Sequence, residues 1–553
     1  MKKIFFAIIC LTLWASHAMA ATTHEEKMDS LTREFVAHCD GKLPPGITIS
    51  EDSTRYSINL LEFIADPVAK RYFEQMGQAI MNEKAATSDK KIEIQNISME
   101  KMELNEQGMK RVKRKSVAIP QVTFCLSVPY TYMSVDGKNN PVRLSSIMYR
   151  PSPFQFNYSA IMGLGNFIPN IGIGTILVEA IKGLWNYAVG YTIDYGVLGC
   201  HPTVTSSAEA PTGAMPLDGD IKMFCSNYAI VVCPDYCGYG LSAYRQHPYL
   251  VQGVTARNVV DGYIAALDLI QSGDVVDGKW ELANKFYTDL MGYSQGGSVA
   301  LSTLRYLESG QVSEDKLKRI NLREVYCGDG PYSPIATVNQ YVTWANMQEE
   351  KYRNLAYPCV LPLIVQAAKD AYNSGCMRTV NVEDYFTPEF LATGIIEDLN
   401  SKSITTEQLN RKAAGHGIFT IDQMMSDKMI KKNAETGKIE LNTESKEYKC
   451  LMRALEFNDV TKGWTPQHPV LFMHLDGDLV VPYCNMEEVQ KNMTFDNKVV
   501  FTDPYEVKKK MSTVWGLAAG AMGKLDDNPD HSSIGVFFYI GAASGAFHDM
   551  LNK

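Results

Sequence analysis

The sequence predicts an α/β protein with a mostly parallel central sheet covered by helices on both faces. From about residue 120 onward, segments rich in β-branched and aromatic residues alternate with segments of helical periodicity. Several strand-like segments are almost continuously apolar, as in residues 229–233, AIVVC, and strands buried on both faces require that pattern. With 553 residues, 45% of them hydrophobic, the chain can bury at least one large core.

Eight segments are predicted as strands of this sheet. The turn residues Asp136 to Asn140, DGKNN, separate the first two, because Asp, Gly and Asn favour tight turns. The predicted strands are 122–135, 142–149, 194–200, 228–234, 286–291, 323–327, 470–475 and 499–502.

Three long stretches lie outside this alternation. Residues 21–119 are acidic and polar, and they are predicted as a small helical or irregular N-terminal region. Residues 154–190 are apolar and rich in glycine, which favours a helical hairpin packed on the core. Transient contact with a membrane or lipid is the main alternative for this insert, and a true membrane span is a less favoured one. Residues 335–460 are predicted as a helical cap, which divides the core into 120–334 and 461–553.

Residues 1–20 have the features of a secretory signal peptide. Lys2 and Lys3 form a charged start, residues 4–14 an apolar core, and residues 18–20, AMA, a small-x-small cleavage site. The apolar core is shorter than the roughly 20 residues that span a bilayer, so an uncleaved anchor is less favoured. The leader predicts a bacterial protein secreted across the inner membrane, in the periplasm or outside the cell.

The charge balance argues against a nucleic-acid surface. The chain has 53 Lys and Arg residues against 62 Asp and Glu residues, a formal net charge of −9. The basic run at 110–115 is interpreted as a solvated edge. No nucleic-acid partner is therefore predicted, and the sequence leaves the oligomeric state open.

Twelve cysteines are present, and Cys10 lies inside the leader. The remaining eleven are an odd number, so at least one is unpaired or bonded to another molecule. Cys359 and Cys376 can be bridged in an oxidising compartment, which the sequence does not decide. Cys233 and Cys237 lack a second ligand pair at zinc-site spacing, so no metal is predicted.

The segment with the clearest chemistry is 292–297, GYSQGG. It follows a predicted strand and precedes a predicted helix at 298–307, which is the context of a nucleophile elbow centred on Ser294. Small flanking residues are needed there because the chain turns sharply and passes close to its neighbours. An ordinary glycine turn is the alternative interpretation of this pattern.

A serine nucleophile needs an imidazole base and a carboxylate that orients it. On such a turn the acid and then the histidine follow the serine in sequence. His531 stands in a polar segment directly before an apolar one, and it is the predicted base. Asp478 follows the predicted strand 470–475 and precedes a Val-Val-Pro segment, so it is the predicted acid, with Asp476 as the alternative.

The oxyanion of an acyl-transfer reaction needs two hydrogen-bond donors. The backbone N–H of Gln295, at the start of the helix, is predicted to supply one. The other is expected after strand 194–200, in His201-Pro202-Thr203. Because Pro202 has no N–H, Thr203 is the candidate donor, and His201 is interpreted as structural.

The sequence gives no support for an organic cofactor. Gly238, Gly240 and Ala243 fit the spacing G-x-G-x-x-A of a dinucleotide site, but the glycines do not directly join a strand to a helix. The sequence contains neither a Walker A motif nor H-E-x-x-H. No cofactor is therefore predicted.

With these residues in place, the chain resembles the α/β-hydrolase superfamily over roughly residues 120–545, and within it the secretory lipase family and related bacterial esterases. Pro202 departs from the common His-Gly-x pattern of the oxyanion loop. The segments that carry the resemblance are 148–151 MYRP, 235–240 DYCGYG, 247–250 HPYL, 292–297 GYSQGG, 464–466 WTP, Asp478 and His531.

The residues and the resemblance together predict a secreted serine hydrolase of carboxylic esters, with a small-molecule or lipid-like substrate. A serine exopeptidase of the prolyl-oligopeptidase type is one alternative, although residues 21–119 are too few for the propeller that such enzymes usually carry. A binding protein that kept the fold and lost catalysis is the other. Hydrolysis of a short ester distinguishes this last alternative from both enzymes.

Overall fold

The computed structural model describes residues 47–49, 56–58, 125–151, 191–214, 229–272, 280–373, 375–493, 499–502 and 531. The predicted leader 1–20, the apolar insert 154–190 and most of the N-terminal region lie outside the described residues. Two short antiparallel strands, β1 (Ile47–Ile49) and β2 (Tyr56–Ile58), are the described part of that region, and they belong to a separate compact unit.

All eight predicted strands form one sheet. The strands along the chain are β3 (Cys125–Val135), β4 (Pro141–Pro151), β5 (Tyr191–Cys200), β6 (Ile230–Pro234), β7 (Trp280–Tyr293), β8 (Leu322–Gly328), β9 (Ile430–Lys432), β10 (Ile439–Leu441), β11 (Val470–Met473) and β12 (Val499–Thr502). Among the described residues, β9 pairs only with β10, and the other eight follow the order β12-β11-β8-β7-β5-β6-β4-β3.

The sheet is mostly parallel, as predicted. Strand β4 runs antiparallel to both of its neighbours, β3 and β6. The other neighbouring strands pair in parallel. Strand β7 begins six residues before its predicted start, and the remaining strands begin and end within three residues of their predicted bounds.

The helices flank this sheet or follow it in the chain. They are α1 (Gln252–Ser272), α2 (Gln295–Glu308), α3 (Glu314–Ile320), α4 (Pro334–Ala345), α5 (Glu350–Arg353), α6 (Val360–Ala371), α7 (Pro388–Leu391), α8 (Ile395–Ser401), α9 (Thr406–Gly415), α10 (Ile421–Met424), α11 (Lys446–Phe457) and α12 (Cys484–Asn492). In the part of the chain that the structure describes, no helix combines the length and the apolarity needed to cross a membrane.

The turn between β3 and β4 shows how the local sequence sets the register of the sheet. The Asp136 carboxylate accepts hydrogen bonds from the N–H groups of Lys138 and Asn140, each at 2.9 Å, and Asn139 takes a positive φ of 62°. Asp and Asn tolerate these conformations better than most residues. The predicted turn is therefore confirmed.

Apolar side chains of the sheet and its helices form the main core. Leu198, Val232 and Leu290 from adjacent strands are buried with Val259 of α1 and Leu301 of α2. Burial of such side chains on both faces explains why the strand segments are continuously apolar. The core fixes the carboxyl ends of the parallel strands at one edge of the sheet.

Residues 335–460 are mostly helical and contain a second apolar cluster. This cluster includes Leu361, Ile364 and Val365 of α6, and it extends to Tyr249 and Val254 next to and within α1. The helical pattern of residues 388–399 predicts one continuous helix, and this prediction is wrong in one respect. The helix is interrupted between α7 and α8 because Gly394 takes a left-handed φ of 72°.

A disulfide joins Cys376 to Cys450 within this segment, and the two cysteines are 74 positions apart in sequence. The bridge between Cys359 and Cys376 that the sequence left open does not form. Cys359 is instead a buried free thiol at the start of α6, where it packs as a small apolar side chain.

Candidate active site

Ser294 lies on the sharp turn between β7 and α2. Its backbone has φ 58° and ψ −127°, a conformation that residues other than glycine rarely adopt. The Ser294 N–H donates to the Gly328 carbonyl at 2.9 Å, which ties the turn to the end of β8. The predicted elbow is therefore present, and its serine is held at the carboxyl edge of the sheet.

The glycines of the elbow are required by close backbone contacts. A Cβ on Gly292 would lie 2.1 Å from the Gly296 carbonyl oxygen, and one on Gly296 would lie 2.0 Å from the Cys200 carbonyl oxygen. Real Cβ atoms do not approach oxygen this closely. These contacts explain why both positions are glycine.

Gly296→Ala is expected to destabilise the protein by about 3 kcal/mol or more, because neither backbone segment can move without disturbing the sheet. The measurement is the free energy of unfolding in denaturant. Gly253→Ala is the matched control, since Gly253 is in a helix with nothing within 4 Å of the added carbon. Similar stabilities of the two variants would show that the elbow tolerates a side chain.

The His531 side chain contacts both the serine and the predicted acid. Its Nε2 lies 2.8 Å from Ser294 Oγ, and its Nδ1 lies 2.5 Å from Asp478 Oδ2. His531 and Asp478 are almost fully buried, with 6% and 1% of their surface exposed. A neutral imidazole that donates from Nδ1 to the carboxylate has a free lone pair on Nε2 for the serine proton.

The geometry also separates the two candidate acids. Asp478 Oδ1 accepts hydrogen bonds from the N–H groups of Val480 and Val481, at 2.7 and 2.9 Å, while Oδ2 faces His531. Asp476 is exposed in the same loop. The structure thus brings Ser294, His531 and Asp478 together and leaves Asp476 outside the arrangement.

Three observations identify the fold. They are the strand order, the elbow after the central strand β7, and the contacts of its serine with a histidine that in turn contacts an acid. The chain has the α/β-hydrolase fold. In this fold the nucleophile is presented at the carboxyl edge of the sheet, where the chain segments that follow the strands surround it.

Solved structures of an esterase and a lipase are similar to this chain at low sequence identity. A rice cell wall degrading esterase, LipA from Xanthomonas oryzae, is 18% identical, with a TM-score of 0.48 over 70% of this chain and 85% of that one. Candida antarctica lipase A is 14% identical, with a TM-score of 0.42 over 73% of this chain and 80% of that one. No family model and no curated protein matches the chain.

Of the two predicted oxyanion donors, Gln295 directly follows Ser294, and Thr203 lies in a loop that begins beside the elbow. Gln295 is the first residue of α2, where a backbone N–H has no acceptor within the helix. The carbonyl groups of Cys200 and His201 lie against Gly296, so the loop that leads to Thr203 starts beside the elbow. Thr203 is half-buried, and its hydroxyl lies 3.0 Å from that of Tyr249.

The two histidines near this loop have structural contacts. His201 is buried, its ring stacks on Tyr236 with centroids 3.9 Å apart, and its Nε2 lies 3.1 Å from the Asp235 carbonyl oxygen. This agrees with its structural interpretation. His247 Nδ1 donates to the Cys237 carbonyl at 2.8 Å.

The remaining ring nitrogen of His247 positions Gln295. Its Nε2 accepts a hydrogen bond from the Gln295 side-chain amide at 2.9 Å. Burial lowers the pKa of His247 to about 3, so the imidazole stays neutral and keeps this acceptor across the working range of pH. This role was not predicted from the sequence, in which the only signal for it is the His-Pro-Tyr segment that contributes to the family resemblance.

Two more residues that were not predicted from the sequence, Tyr293 and Asp329, are linked by hydrogen bonds to the backbone of His531. The Tyr293 hydroxyl is 2.8 Å from the His531 carbonyl oxygen and 2.5 Å from Asp329 Oδ2. Asp329 directly follows β8 and is fully buried. An acidic residue at the carboxyl end of a predicted strand was the available signal for it.

Among the described residues, one group of side chains has potential metal-ligand atoms within 4.8 Å of one another. Its members are Asp329, His474 and Asp478. Asp478 already accepts two backbone hydrogen bonds and contacts His531, and Asp329 accepts one from the Leu475 N–H at 2.7 Å. Hydrogen bonding within the fold accounts for this cluster, and we assign no metal to it.

Proposed function

We propose that this protein is a serine hydrolase of carboxylic esters that acts through an acyl-enzyme. The observation that carries the proposal is the continuous chain of contacts from Ser294 Oγ through His531 to Asp478, centred on a strained elbow. A serine hydroxyl in this setting can lose its proton to the imidazole as it attacks a carbonyl carbon.

Each residue then has a defined role. Ser294 Oγ attacks the ester carbonyl while His531 Nε2 takes its proton. Asp478 holds the imidazole in the reactive tautomer and stabilises the imidazolium. The N–H groups of Gln295 and Thr203 stabilise the oxyanion, and His531 returns the proton to the leaving alcohol. Water attacks the acyl-enzyme by the same steps and releases the acid.

The test is hydrolysis of p-nitrophenyl butyrate by the full chain, alongside aminoacyl p-nitroanilides. We expect the ester to be cleaved and the anilides to be cleaved far more slowly. Cleavage of the anilides with comparable kcat/KM would favour the exopeptidase alternative. If neither substrate is turned over, and Ser294 is not labelled by a fluorophosphonate, the binding-protein alternative would stand.

We also propose secretion, which the leader 1–20 supports together with the disulfide between Cys376 and Cys450, because such bonds persist in oxidising compartments. The expected products are a carboxylic acid and an alcohol formed outside the cytoplasm. Fractionation of the producing bacterium, with a cytoplasmic marker as the control, tests the location.

The cap at 335–460 is proposed to set the acyl preference. Tyr341 of α4 donates to the Val480 carbonyl at 2.5 Å, in the loop that holds Asp478. Thr205, in the loop that holds Thr203, donates from its hydroxyl to the Ile404 carbonyl of the cap at 2.9 Å. The cap therefore contacts both loops that complete the site.

Shortening the cap is expected to change the ratio of kcat/KM for long and short acyl esters by at least about tenfold, while p-nitrophenyl acetate is still hydrolysed. The measurement is a series of p-nitrophenyl esters from acetate to laurate. The same ratio with only a lower melting temperature would mean that the cap stabilises the fold and that acyl selection lies elsewhere.

A further inference from the structure

Asp329 makes contacts that set its protonation state. It is fully buried, its N–H donates to the Met473 carbonyl at 2.9 Å, and its Oδ1 accepts from the Leu475 N–H at 2.7 Å. Its Oδ2 lies 2.5 Å from the Tyr293 hydroxyl oxygen. That hydroxyl also lies 2.8 Å from the carbonyl oxygen of His531.

The two contacts of the Tyr293 hydroxyl require two protons. A carbonyl oxygen and an ionised carboxylate only accept hydrogen bonds, and a phenol has a single proton to donate. With Asp329 ionised, one of the two short oxygen–oxygen contacts would therefore have no proton in it. With Asp329 protonated, its O–H donates to Tyr293, and the Tyr293 O–H donates to the His531 carbonyl, so both contacts are satisfied.

We propose that Asp329 is protonated in the folded enzyme, and that Asp329 and Tyr293 are positioning residues that hold the backbone of His531 so that its imidazole stays between Asp478 and Ser294. This inference deepens the proposed hydrolase function and rests on it. Of the two buried carboxyl groups near His531, Asp329 is then uncharged and Asp478 is the carboxylate that contacts the imidazole.

The groups that face Asp329 are consistent with a neutral carboxyl. They are Tyr293 at the end of β7, His474 and Asp478 beyond β11, and His531. His474 Nε2 donates to the Val481 carbonyl at 2.9 Å, and its Nδ1 lies 4.0 Å from Asp329 Oδ1, beyond hydrogen-bond distance. Burial raises the pKa of Asp329 and is the largest influence on it; His474 and His531 act to lower that pKa, and the Asp478 carboxylate acts to raise it.

A neutral Asp329 helps to keep His531 unprotonated and therefore able to act as the base. Two ionised carboxylates beside His531 would stabilise its imidazolium form, and a protonated His531 cannot accept the Ser294 proton. A neutral carboxyl can support the His531 backbone through Tyr293 without adding this charge.

The first test compares substitutions at Asp329 by kcat/KM for p-nitrophenyl butyrate. Asp329→Asn keeps a donor and an acceptor in the same places and adds no charge, so it is expected to stay within about threefold of wild type. Asp329→Ala and Tyr293→Phe are expected to lose at least about tenfold in kcat, because His531 loses its support. The acidic limb of the pH profile should not move in Asp329→Asn, whereas loss of an ionised neighbour would shift it by about one pH unit.

An Asp329→Asn variant as impaired as Asp329→Ala, or a shifted acidic limb, would overturn the inference. Asp478→Asn is the comparison variant, in which the same chemical change removes a carboxylate that must be ionised. If the wild type hydrolyses no ester, the proposed function fails, and this activity test cannot be scored.

The second test is therefore independent of activity. Unfolding by denaturant is measured between pH 5 and 7 for the wild type and Asp329→Asn. A carboxyl that is protonated when folded and ionised when unfolded releases a proton on unfolding, so stability falls as pH rises. The wild-type unfolding constant should rise, relative to that of Asp329→Asn, by roughly tenfold per pH unit.

The exposed Asp476→Asn serves as the matched control and should run parallel to the wild type. Parallel curves for the wild type and Asp329→Asn would mean that Asp329 ionises in the folded protein, which would overturn the proposal whether or not the chain is an esterase.

Discussion

Replacing Ser294 with alanine is expected to lower kcat for p-nitrophenyl butyrate by roughly 10⁶-fold, to the background level. The variant removes one oxygen atom from a turn whose backbone is held by the Gly328 carbonyl and by the three glycines around it. The fold should therefore survive, with an unchanged circular dichroism spectrum. Residual turnover near the wild-type level would contradict the assignment of Ser294 as the nucleophile.

His531→Ala is expected to be nearly as severe, and the double variant no worse than either single one, because the three residues act as a unit. Covalent labelling provides the direct control. A fluorophosphonate should modify the wild type at Ser294 and leave Ser294→Ala unmodified. Labelling of another serine, located by peptide mass spectrometry, would move the active site elsewhere.

The sheet could be predicted because its strands carry their own signal. A strand such as β6, Ile230–Pro234, is buried at all five positions, so its residues must be apolar without interruption. The interruption between α7 and α8 was not predicted, since Gly394 fits a helical pattern until its left-handed φ is known. The β9 and β10 pair was missed because three-residue strands leave too short a pattern to recognise.

The candidate site was predictable where the residue type is dictated by local geometry or by chemistry. Gly292 and Gly296 are required by backbone contacts, and a serine between them needs a histidine and an acid further along the chain. The residues that were missed act through tertiary contacts. Tyr293 and His531 are 238 positions apart in sequence, and His247 and Gln295 are 48 apart. Neither pair leaves a local pattern that could have indicated its contact.

The choice of acid leads to the second large expected effect, which is that Asp478→Asn lowers kcat by roughly 10⁴-fold. An asparagine can still accept the N–H groups of Val480 and Val481 through its carbonyl oxygen. Its amide nitrogen would then face His531 Nδ1 and donate to it. That contact places the imidazole proton on Nε2, where it blocks transfer from Ser294.

Asp476→Asn makes the same chemical change two residues away, at an exposed position of the same loop, and is expected to retain kcat within about twofold. The two variants share the loop and the loss of one negative charge, so a difference between them reports the contact with His531 alone. Kinetics with p-nitrophenyl butyrate and unfolding curves should be measured on both, because a collapse of the loop in Asp478→Asn would appear as lost stability. Equal losses of kcat in two folded variants, or a larger loss at Asp476, would transfer the role of the acid to Asp476.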